Sequence, residues 1–185
     1  MEATTLSSIH DVCEEILVSE AEILEACKRL GAELSKDYEG KDPLFVGLLK
    51  GCVPFIADLT RQMSINVQLD YMAVSSYHGT SKASNEVKID KDLKTSVEGR
   101  HVVIAEDIVD TGATLQKVIG LFEYRGAKSV EVVTLLNKQD GRKVRMSPKY
   151  VGIEIPNKFV VGYGLDWDDR YRHLPYVGVV KKELL

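Results

Sequence analysis

One stretch decides the fold of this chain: Val102-Val103-Ile104-Ala105-Glu106-Asp107-Ile108-Val109-Asp110-Thr111-Gly112-Ala113-Thr114-Leu115. It begins as an unbroken apolar run with many β-branched residues, which is typical of a strand buried on both faces of a parallel sheet. The run ends in two carboxylates, and apolar residues then recur at helical spacing from Leu115 to Phe122. The stretch therefore predicts a strand, a turn and a helix of an α/β protein.

The turn carries residues that suit an anion site. Gly112 allows the backbone to turn tightly, and Asp110, Thr111 and Thr114 are residue types that cap the start of a helix. A helix N-terminus presents unpaired N–H groups and the positive end of a dipole, and both attract anions. We expect the anion to lie so close to the turn that a side chain added at Gly112 would collide with it.

Two acids stand just before the turn, and an ordinary capped helix does not need them. Glu106 and Asp107 lie at the carboxyl end of the predicted strand, where a ribose or a metal ion could use their oxygens. Together with the turn they form segment 106–114, which resembles the phosphoribosyl-pyrophosphate (PRPP) loop of the type I phosphoribosyltransferases. The resemblance implies that the loop amides and threonine hydroxyls hold the 5-phosphate, while the acid pair faces the ribose hydroxyls and magnesium. Ala113 stands where some members carry a long basic side chain, which leaves the phosphate to N–H groups and hydroxyls.

Other segments between Leu44 and Val180 resemble the hypoxanthine (hypoxanthine-guanine) branch of this family, in the expected order. Leu49-Lys50-Gly51 resembles the pyrophosphate-binding loop, in which the peptide between the lysine and the glycine is often cis. Ser76-Tyr77 resembles the flexible loop that closes over PRPP and excludes water. Arg172, rather than Arg170, matches the arginine that reaches the pyrophosphate.

Segment 158–172 resembles the hood that covers the purine base in this branch. The resemblance implies that Lys158 belongs to the base site, that Phe159 stacks on the base and that Val160 offers backbone hydrogen bonds. Asp166 is implied to contact the base through its backbone and magnesium through its carboxylate. Lys138, at the end of another predicted strand, is implied to donate a hydrogen bond to the 6-oxo group of the base.

The resemblance implies a reaction as well as a site. In the family, a purine nitrogen displaces pyrophosphate from the anomeric carbon of PRPP through an oxocarbenium-like state. Asp110 is implied to accept or hydrogen-bond the purine proton, while Lys50, the Gly51 amide and Arg172 stabilise the departing pyrophosphate. Magnesium is expected to arrive with PRPP, because it binds a few carboxylates together with substrate oxygens and water. The carboxylates implied to meet it are Glu106, Asp107 and Asp166.

We expect one domain over residues 1–185, with a Rossmann-like, mostly parallel sheet flanked by helices as in the type I phosphoribosyltransferase fold. Its core is expected at about 40–150, and a small base-binding hood is expected from the N-terminal segment and about 151–185. Apolar residues from Ile16 to Leu34 recur at helical spacing, and Ser19 with Glu22 predicts a helix start near Ser19. The basic segment 142–148 is predicted to be a solvated connection.

Composition argues against some classes of function. The chain has 185 residues, 44% of them hydrophobic, and its formal charge of −4 argues against nucleic acid or an anionic membrane as a partner. No apolar run approaches the roughly 20 residues that cross a bilayer, and residues 1–16 lack the pattern of a secretory signal. The 3 cysteines lack metal-ligand spacing, so we expect reduced thiols in a cytoplasmic protein. The resemblance implies a homodimer or a homotetramer.

Several alternatives stay open on the sequence. An RNA-binding regulator built on the same fold would need a basic face. A nucleotide-binding module would bind PRPP without releasing pyrophosphate. Xanthine-preferring and orotate-type transferases are alternatives among enzymes, although the 159–166 hood favours a 6-oxopurine. Hypoxanthine and guanine share the same 6-oxo edge, so the sequence does not rank them.

Overall fold

The computed structural model describes residues 8–76 and 87–185. Its strands are β1 (Cys13–Val18), β2 (Leu44–Leu48), β3 (Gln68–Ser76), β4 (Val87–Lys91), β5 (His101–Val109), β6 (Ser129–Asn137), β7 (Tyr150–Glu154), β8 (Val160–Val161) and β9 (Val177–Val180). Its α-helices are α1 (Glu20–Asp37), α2 (Cys52–Arg61) and α3 (Ala113–Tyr124), and short 3-10 helices cover Ile9–Val12, Gln139–Gly141 and Lys182–Leu184. Within the described ranges, no helix combines the length and the apolar character that crossing a membrane requires.

Within the described part of the chain, six strands form the main sheet, in the order β4-β3-β2-β5-β6-β7. The neighbours from β3 to β7 run parallel, and the edge strand β4 is antiparallel to β3. This arrangement confirms the predicted mostly parallel α/β fold. Parallel strands end at one edge of their sheet, so Lys50, Ser76, Asp110 and Lys138 stand at or just beyond neighbouring strand ends. Open α/β sheets bind ligands at this edge.

Strand β5 lies inside the sheet and is buried on both faces. Val103 and Ala105 belong to the cluster that α1 and α2 cover, whereas Val102 and Ile104 belong to the cluster that α3 covers. Successive side chains of a strand point to opposite faces, so both faces of β5 must be apolar. This is the physical reason for the unbroken apolar run.

Helix α1 begins where the sequence predicts. Ser19 is its N-cap: the Ser19 Oγ accepts the Glu22 N–H at 3.3 Å, and the Glu22 Oε2 accepts the Ser19 N–H at 2.8 Å. The preceding residues Cys13–Val18 form β1, although apolar spacing looked helical from Ile16 onward. They are extended because they pair with β9, near the other end of the chain. A local pattern does not reveal so distant a partner.

A second, antiparallel sheet has the order β1-β9-β8 and joins the two ends of the chain. Val160, Val177 and Val179 from this sheet belong to the same buried cluster as Val103 of β5. The small sheet therefore packs on the main core, and the segment that follows β8 reaches Lys50 at the carboxyl edge of the main sheet.

Candidate active site

The turn between β5 and α3, residues 110–114, leaves a helix N-terminus open; we call it the phosphate turn. Gly112 is the N-cap of α3, with a left-handed φ of 76°, and has no side chain with which to cap the helix. Thr111 Oγ1 accepts the Ala113 N–H at 3.4 Å. Thr111 therefore takes the predicted capping role from the position before the cap, whereas Asp110 and Thr114 form no such bond among the described residues, because glycine occupies the N-cap position itself. A cavity of about 170 Å³ lies here, lined by Glu106, Ile108, Val109, Asp110, Thr111, Gly112, Thr114 and Leu115. The open first turn suits an anion in that cavity.

Gly112 lines the cavity with its backbone, and the direction of an added Cβ leads toward the 142–146 segment. A Cβ added at Gly112 would lie 3.0–3.1 Å from the side chains of Val144, Arg142 and Met146. A side chain at Gly112 would thus first disturb the 142–146 segment, and the expected collision with the anion stays a prediction. Glycine is required here by its positive φ and by this close packing.

The surroundings of the acid pair Glu106 and Asp107 do not fully compensate its negative charge when both carboxyl groups are ionised. Among the described residues, neither Glu106 nor Asp107 forms a salt bridge. Burial and the neighbouring Asp107 charge raise the pKa of Glu106 well above its usual range. Burial also raises the pKa of Asp107 to about 6, although the Ile108 N–H, 2.9 Å from Asp107 Oδ1, and the Arg172 charge act against this. Two carboxylates in this state favour a cation or a hydroxyl donor as a ligand.

Asp110 and Lys138 meet beside the phosphate turn. Lys138 is buried, and its Nζ lies 3.5 Å from Asp110 Oδ2, while the Asp110 side chain keeps 46% of its exposure. The Lys138 N–H donates to the Val109 carbonyl at 3.0 Å, which ties the ends of β6 and β5 together. The fold thus brings together the predicted proton acceptor and the predicted reader of the base.

Sequence reasoning missed Arg142, which holds the phosphate turn in place. Its Nε donates to the Asp110 carbonyl at 3.0 Å, its Nη1 to the Met146 carbonyl at 2.7 Å and its Nη2 to Asn137 Oδ1 at 2.5 Å. The prediction of a solvated 142–148 connection is therefore wrong for this residue, because strand-end carbonyls need donors and a guanidinium supplies five. An arginine within a polar, basic run gives no signal of such a role.

The Lys50-Gly51 loop lies next to the acid pair. Its cis peptide joins Leu49 to Lys50, not Lys50 to Gly51, so the expected position is wrong by one bond. A non-proline cis bond has no signature in the sequence, and the resemblance alone indicated that this loop contains one. A Cβ at Gly51 would lie 1.7 Å from Asp107 Oδ2. Glycine therefore allows the loop to approach that carboxylate.

Lys50, Asp169 and Arg172 form a charged group that we call the pyrophosphate corner. Lys50 Nζ lies 2.8 and 3.0 Å from the two Asp169 oxygens, and Arg172 Nη2 lies 3.0 Å from Asp169 Oδ1. Hydrogen bonds from Lys50 and then from Arg172 lower the pKa of Asp169. Arg172 Nη2 also lies 2.9 Å from Asp166 Oδ1. The cations of this corner are thus paired with carboxylates of the same chain.

Strand β8 is the open edge of the small sheet. The Phe159 carbonyl accepts the Val180 N–H at 3.0 Å, and alternate residues of a strand direct their peptide groups to opposite sides. The N–H and carbonyl of Val160 therefore point away from β9. The Phe159 ring is 44% exposed. Lys158 Nζ lies 2.5 Å from Glu15 Oε1 of β1, and this ion pair links the C-terminal part of the chain to its N-terminal strand.

The remaining predicted residues are placed as follows. Ser76 ends β3 at the carboxyl edge of the main sheet, and Tyr77 lies outside the described residues. Within 8–76 and 87–185, no three His, Cys, Asp or Glu side chains are arranged to hold a metal ion by themselves. Magnesium that arrives with substrate oxygens needs only one or two carboxylates, and the under-compensated Glu106–Asp107 pair fits that need.

An open helix N-terminus beside a carboxylate pair, at the carboxyl edge of a parallel sheet, is typical of proteins that bind phosphorylated sugars or nucleotides. A family model described as the phosphoribosyl transferase domain matches residues 15–168. The chain therefore belongs to the phosphoribosyltransferase family.

Its relatives specify the branch. The chain is 53% identical to a hypoxanthine-guanine phosphoribosyltransferase of Lactococcus lactis, over 92% of this chain and 93% of that protein. It is 52% identical to the Bacillus subtilis enzyme of the same name, over 93% and 95%. A Staphylococcus aureus hypoxanthine phosphoribosyltransferase structure matches with a TM-score of 0.92 and 46% identity, over 97% of this chain and 98% of that one. A Trypanosoma cruzi hypoxanthine phosphoribosyltransferase in complex with the product IMP matches with a TM-score of 0.88 and 39% identity, over 95% and 98%. Within its family, the chain is an enzyme of the hypoxanthine-guanine branch.

Proposed function

We propose that this enzyme transfers the 5-phosphoribosyl group of PRPP to hypoxanthine, guanine or both in a Mg²⁺-dependent reaction that releases IMP or GMP and pyrophosphate for purine salvage. One observation carries the proposal. Asp110, which can take a proton, and Lys138, which can read an oxo group, lie 3.5 Å apart beside the phosphate cavity. The IMP complex of the Trypanosoma cruzi relative supports the same product.

The phosphate turn is proposed to bind the 5-phosphate. The first-turn N–H groups of α3 and the hydroxyls of Thr111 and Thr114 supply the donors, with Gly112 and Ala113 contributing backbone only. Glu106 and Asp107 are proposed to bind the ribose hydroxyls on the adjoining side. Anchoring both ends of the ribose-phosphate fixes the anomeric carbon relative to the base, which is how positioning accelerates a bimolecular step.

The base is proposed to lie between Lys138 and the hood. Phe159 stacks on the ring, Lys158 closes the hood through Glu15, and the outward peptide groups of Val160 hydrogen-bond to the base edge. Lys138 donates to the 6-oxo group, which requires that its ammonium shift from Asp110 toward the base. Asp110 is then released to accept the proton that the purine nitrogen loses as it attacks.

The leaving pyrophosphate is proposed to be stabilised by Lys50, the Gly51 amide and Arg172, which offer positive charge and N–H donors. Glu106, Asp107 and Asp166 are the residues that would hold magnesium. When bound, the metal would neutralise charge on the phosphate oxygens. Ser76 and Tyr77 are proposed to close over PRPP and exclude water.

The remaining expectations form part of the same proposal. The chain acts as one domain, its β1-β9-β8 sheet serves as the base hood, and the enzyme assembles as a homodimer or homotetramer. Cys13, Cys27 and Cys52 are free thiols, which accords with a reducing cytoplasmic location.

The proposal is tested by a panel of hypoxanthine, guanine, xanthine and adenine with PRPP and magnesium, measuring pyrophosphate release. We expect release with hypoxanthine, guanine or both, and very little with adenine. PRPP binding without release for any base would instead support a nucleotide-binding module. Salt-sensitive retention of RNA without turnover would support an RNA-binding regulator.

A further inference from the structure

The Asp169 carboxylate forms ion pairs with Lys50 and Arg172, the two cations proposed to bind pyrophosphate. Asp169 contacts Lys50 through both oxygens, at 2.8 and 3.0 Å, and its Oδ1 accepts Arg172 Nε and Nη2 at 3.2 and 3.0 Å. The side chains of Lys50 and Asp169 are 65% and 62% exposed. The Arg172 side chain is 28% exposed. An incoming anion can therefore reach Lys50 freely from solvent and Arg172 over the exposed part of its side chain. The proposed reaction assigns no role to Asp169.

The backbone directs Asp169 to this position. Asp168, Asp169 and Tyr171 have φ values of 52°, 57° and 68°, in the left-handed region that non-glycine residues seldom adopt. The Asp169 N–H donates to Asp166 Oδ2 at 2.8 Å. Trp167 and Arg170 close the turn through reciprocal backbone hydrogen bonds of 3.2 and 3.1 Å. These hydrogen bonds fix the turn that contains Asp166 and Asp169, and the turn holds the Asp169 carboxylate against Lys50.

The contact is of a kind that a stronger anion can displace. Exposed ion pairs contribute little to stability, because water screens them and long side chains lose freedom when they pair. Pyrophosphate carries several charges and offers oxygens that match the fork of a guanidinium. We propose that Asp169 is an internal competitor of pyrophosphate: it pairs with Lys50 and Arg172 in the unliganded enzyme, gives way to the pyrophosphoryl group of PRPP, and re-forms both pairs as pyrophosphate leaves. This inference rests on the proposed function, which names those two cations as the pyrophosphate site.

A purely structural role of Asp169 predicts the opposite change in pyrophosphate affinity when the residue is replaced. If Asp169 served to hold Lys50 and Arg172 in position for pyrophosphate, its neutral replacement would loosen both cations and weaken binding. If Asp169 competes, the replacement removes a rival anion and strengthens binding. The sign of the change therefore separates the two roles.

The test is calorimetric titration of inorganic pyrophosphate into wild type, Asp169→Asn and Asp168→Asn at one magnesium concentration. Asp168 is a matched control: it is exposed, has the same left-handed backbone and forms no ion pair among the described residues. We expect Asp169→Asn to bind pyrophosphate about three- to tenfold more tightly, and Asp168→Asn to stay within about twofold of wild type. The KM for PRPP should fall in Asp169→Asn, while the KM for hypoxanthine should not change.

Unchanged or weaker pyrophosphate binding in Asp169→Asn overturns the inference. The titration does not depend on turnover, so the proposed function and the competitor role of Asp169 can be refuted separately. Turnover in the base panel together with unchanged binding would remove the competitor role alone. Absence of both pyrophosphate binding and turnover in wild type would remove the proposed function and the inference together.

Discussion

The phosphate turn and the pyrophosphate corner are built in different ways. The turn consists of consecutive residues between β5 and α3, and the acid pair before it forms no salt bridge among the described residues. The corner joins Lys50 to Asp169, two residues that are 119 positions apart in the sequence. Its cations, Lys50 and Arg172, already have carboxylate partners. In the proposed function, a ligand at the turn supplies missing partners, whereas pyrophosphate at the corner exchanges existing ones. We expect the first mode to favour affinity and the second to favour release of product.

The largest effect is expected at Lys138, which pairs with Asp110 of the turn and is proposed to hydrogen-bond to the base. Lysine has three donors and no acceptor, so it pairs with a 6-oxo group and opposes a 6-amino group. Sites that depend on such a hydrogen bond discriminate by ~10⁴–10⁵, so adenine should be a very poor substrate. Lys138→Gln should narrow this gap, because its amide oxygen can face the amino group. The measurement is kcat/KM for hypoxanthine and adenine, with Lys143→Gln on the exposed connection as control. Full preference in Lys138→Gln would remove Lys138 from base recognition.

The next effect concerns Asp110, the proposed proton acceptor of the turn. A positioned general base contributes ~10²–10⁴-fold, so Asp110→Asn should lower kcat by about that range while PRPP binding is largely kept. Asp140→Asn, exposed on the same edge, should turn over normally. Near-normal kcat in Asp110→Asn would mean that another group takes the proton.

A smaller effect should follow from loosening the turn without touching its ligand contacts. Arg142→Met removes the donors to the Asp110 and Met146 carbonyls and to Asn137. Because a misplacement of about 1 Å reduces rates by about 10²-fold, kcat/KM for PRPP should fall by roughly that factor. Arg145→Met, on an exposed residue of the same segment, serves as control. Wild-type kcat/KM in Arg142→Met would show that the turn keeps its shape without this arginine.

The smallest effect is a gain of stability at the acid pair. The pKa of Asp107 is raised to about 6 from 3.8, so the folded protein favours the protonated form and ionisation lowers its stability. That loss builds up between pH 3.8 and about 6 and is complete above. Asp107→Asn should therefore raise the free energy of unfolding by about 1–2 kcal/mol at pH 8, and the gain should vanish below pH 4. Thermal melts at both pH values check this, with Asp168→Asn as control. A lower Tm for Asp107→Asn at pH 8 would show that the carboxylate has a compensating partner.

The same contrast explains how far the sequence could be interpreted. The β5–turn–α3 unit, the α1 cap at Ser19 and the parallel sheet follow from local patterns, since burial and capping act on neighbouring residues. Strand β1, the Arg142 hydrogen bond to the Asp110 carbonyl and the Lys50–Asp169 pair depend on partners far along the chain, and local patterns do not reveal them. The residues that line the cavity, and Lys138 and Asp110, were predicted only as members of one site. The distance between Lys138 and Asp110 became known from the fold.

The central claim is that the turn, the acid pair and the base-reading lysine act together as a magnesium-dependent transferase. Its most direct test is a single time course of IMP and pyrophosphate formed from PRPP and hypoxanthine, interrupted by excess EDTA and then by excess magnesium. The account predicts equal amounts of the two products, arrest on chelation and recovery when the metal returns. Undiminished formation of both products in excess EDTA, or PRPP consumption without IMP, would contradict it.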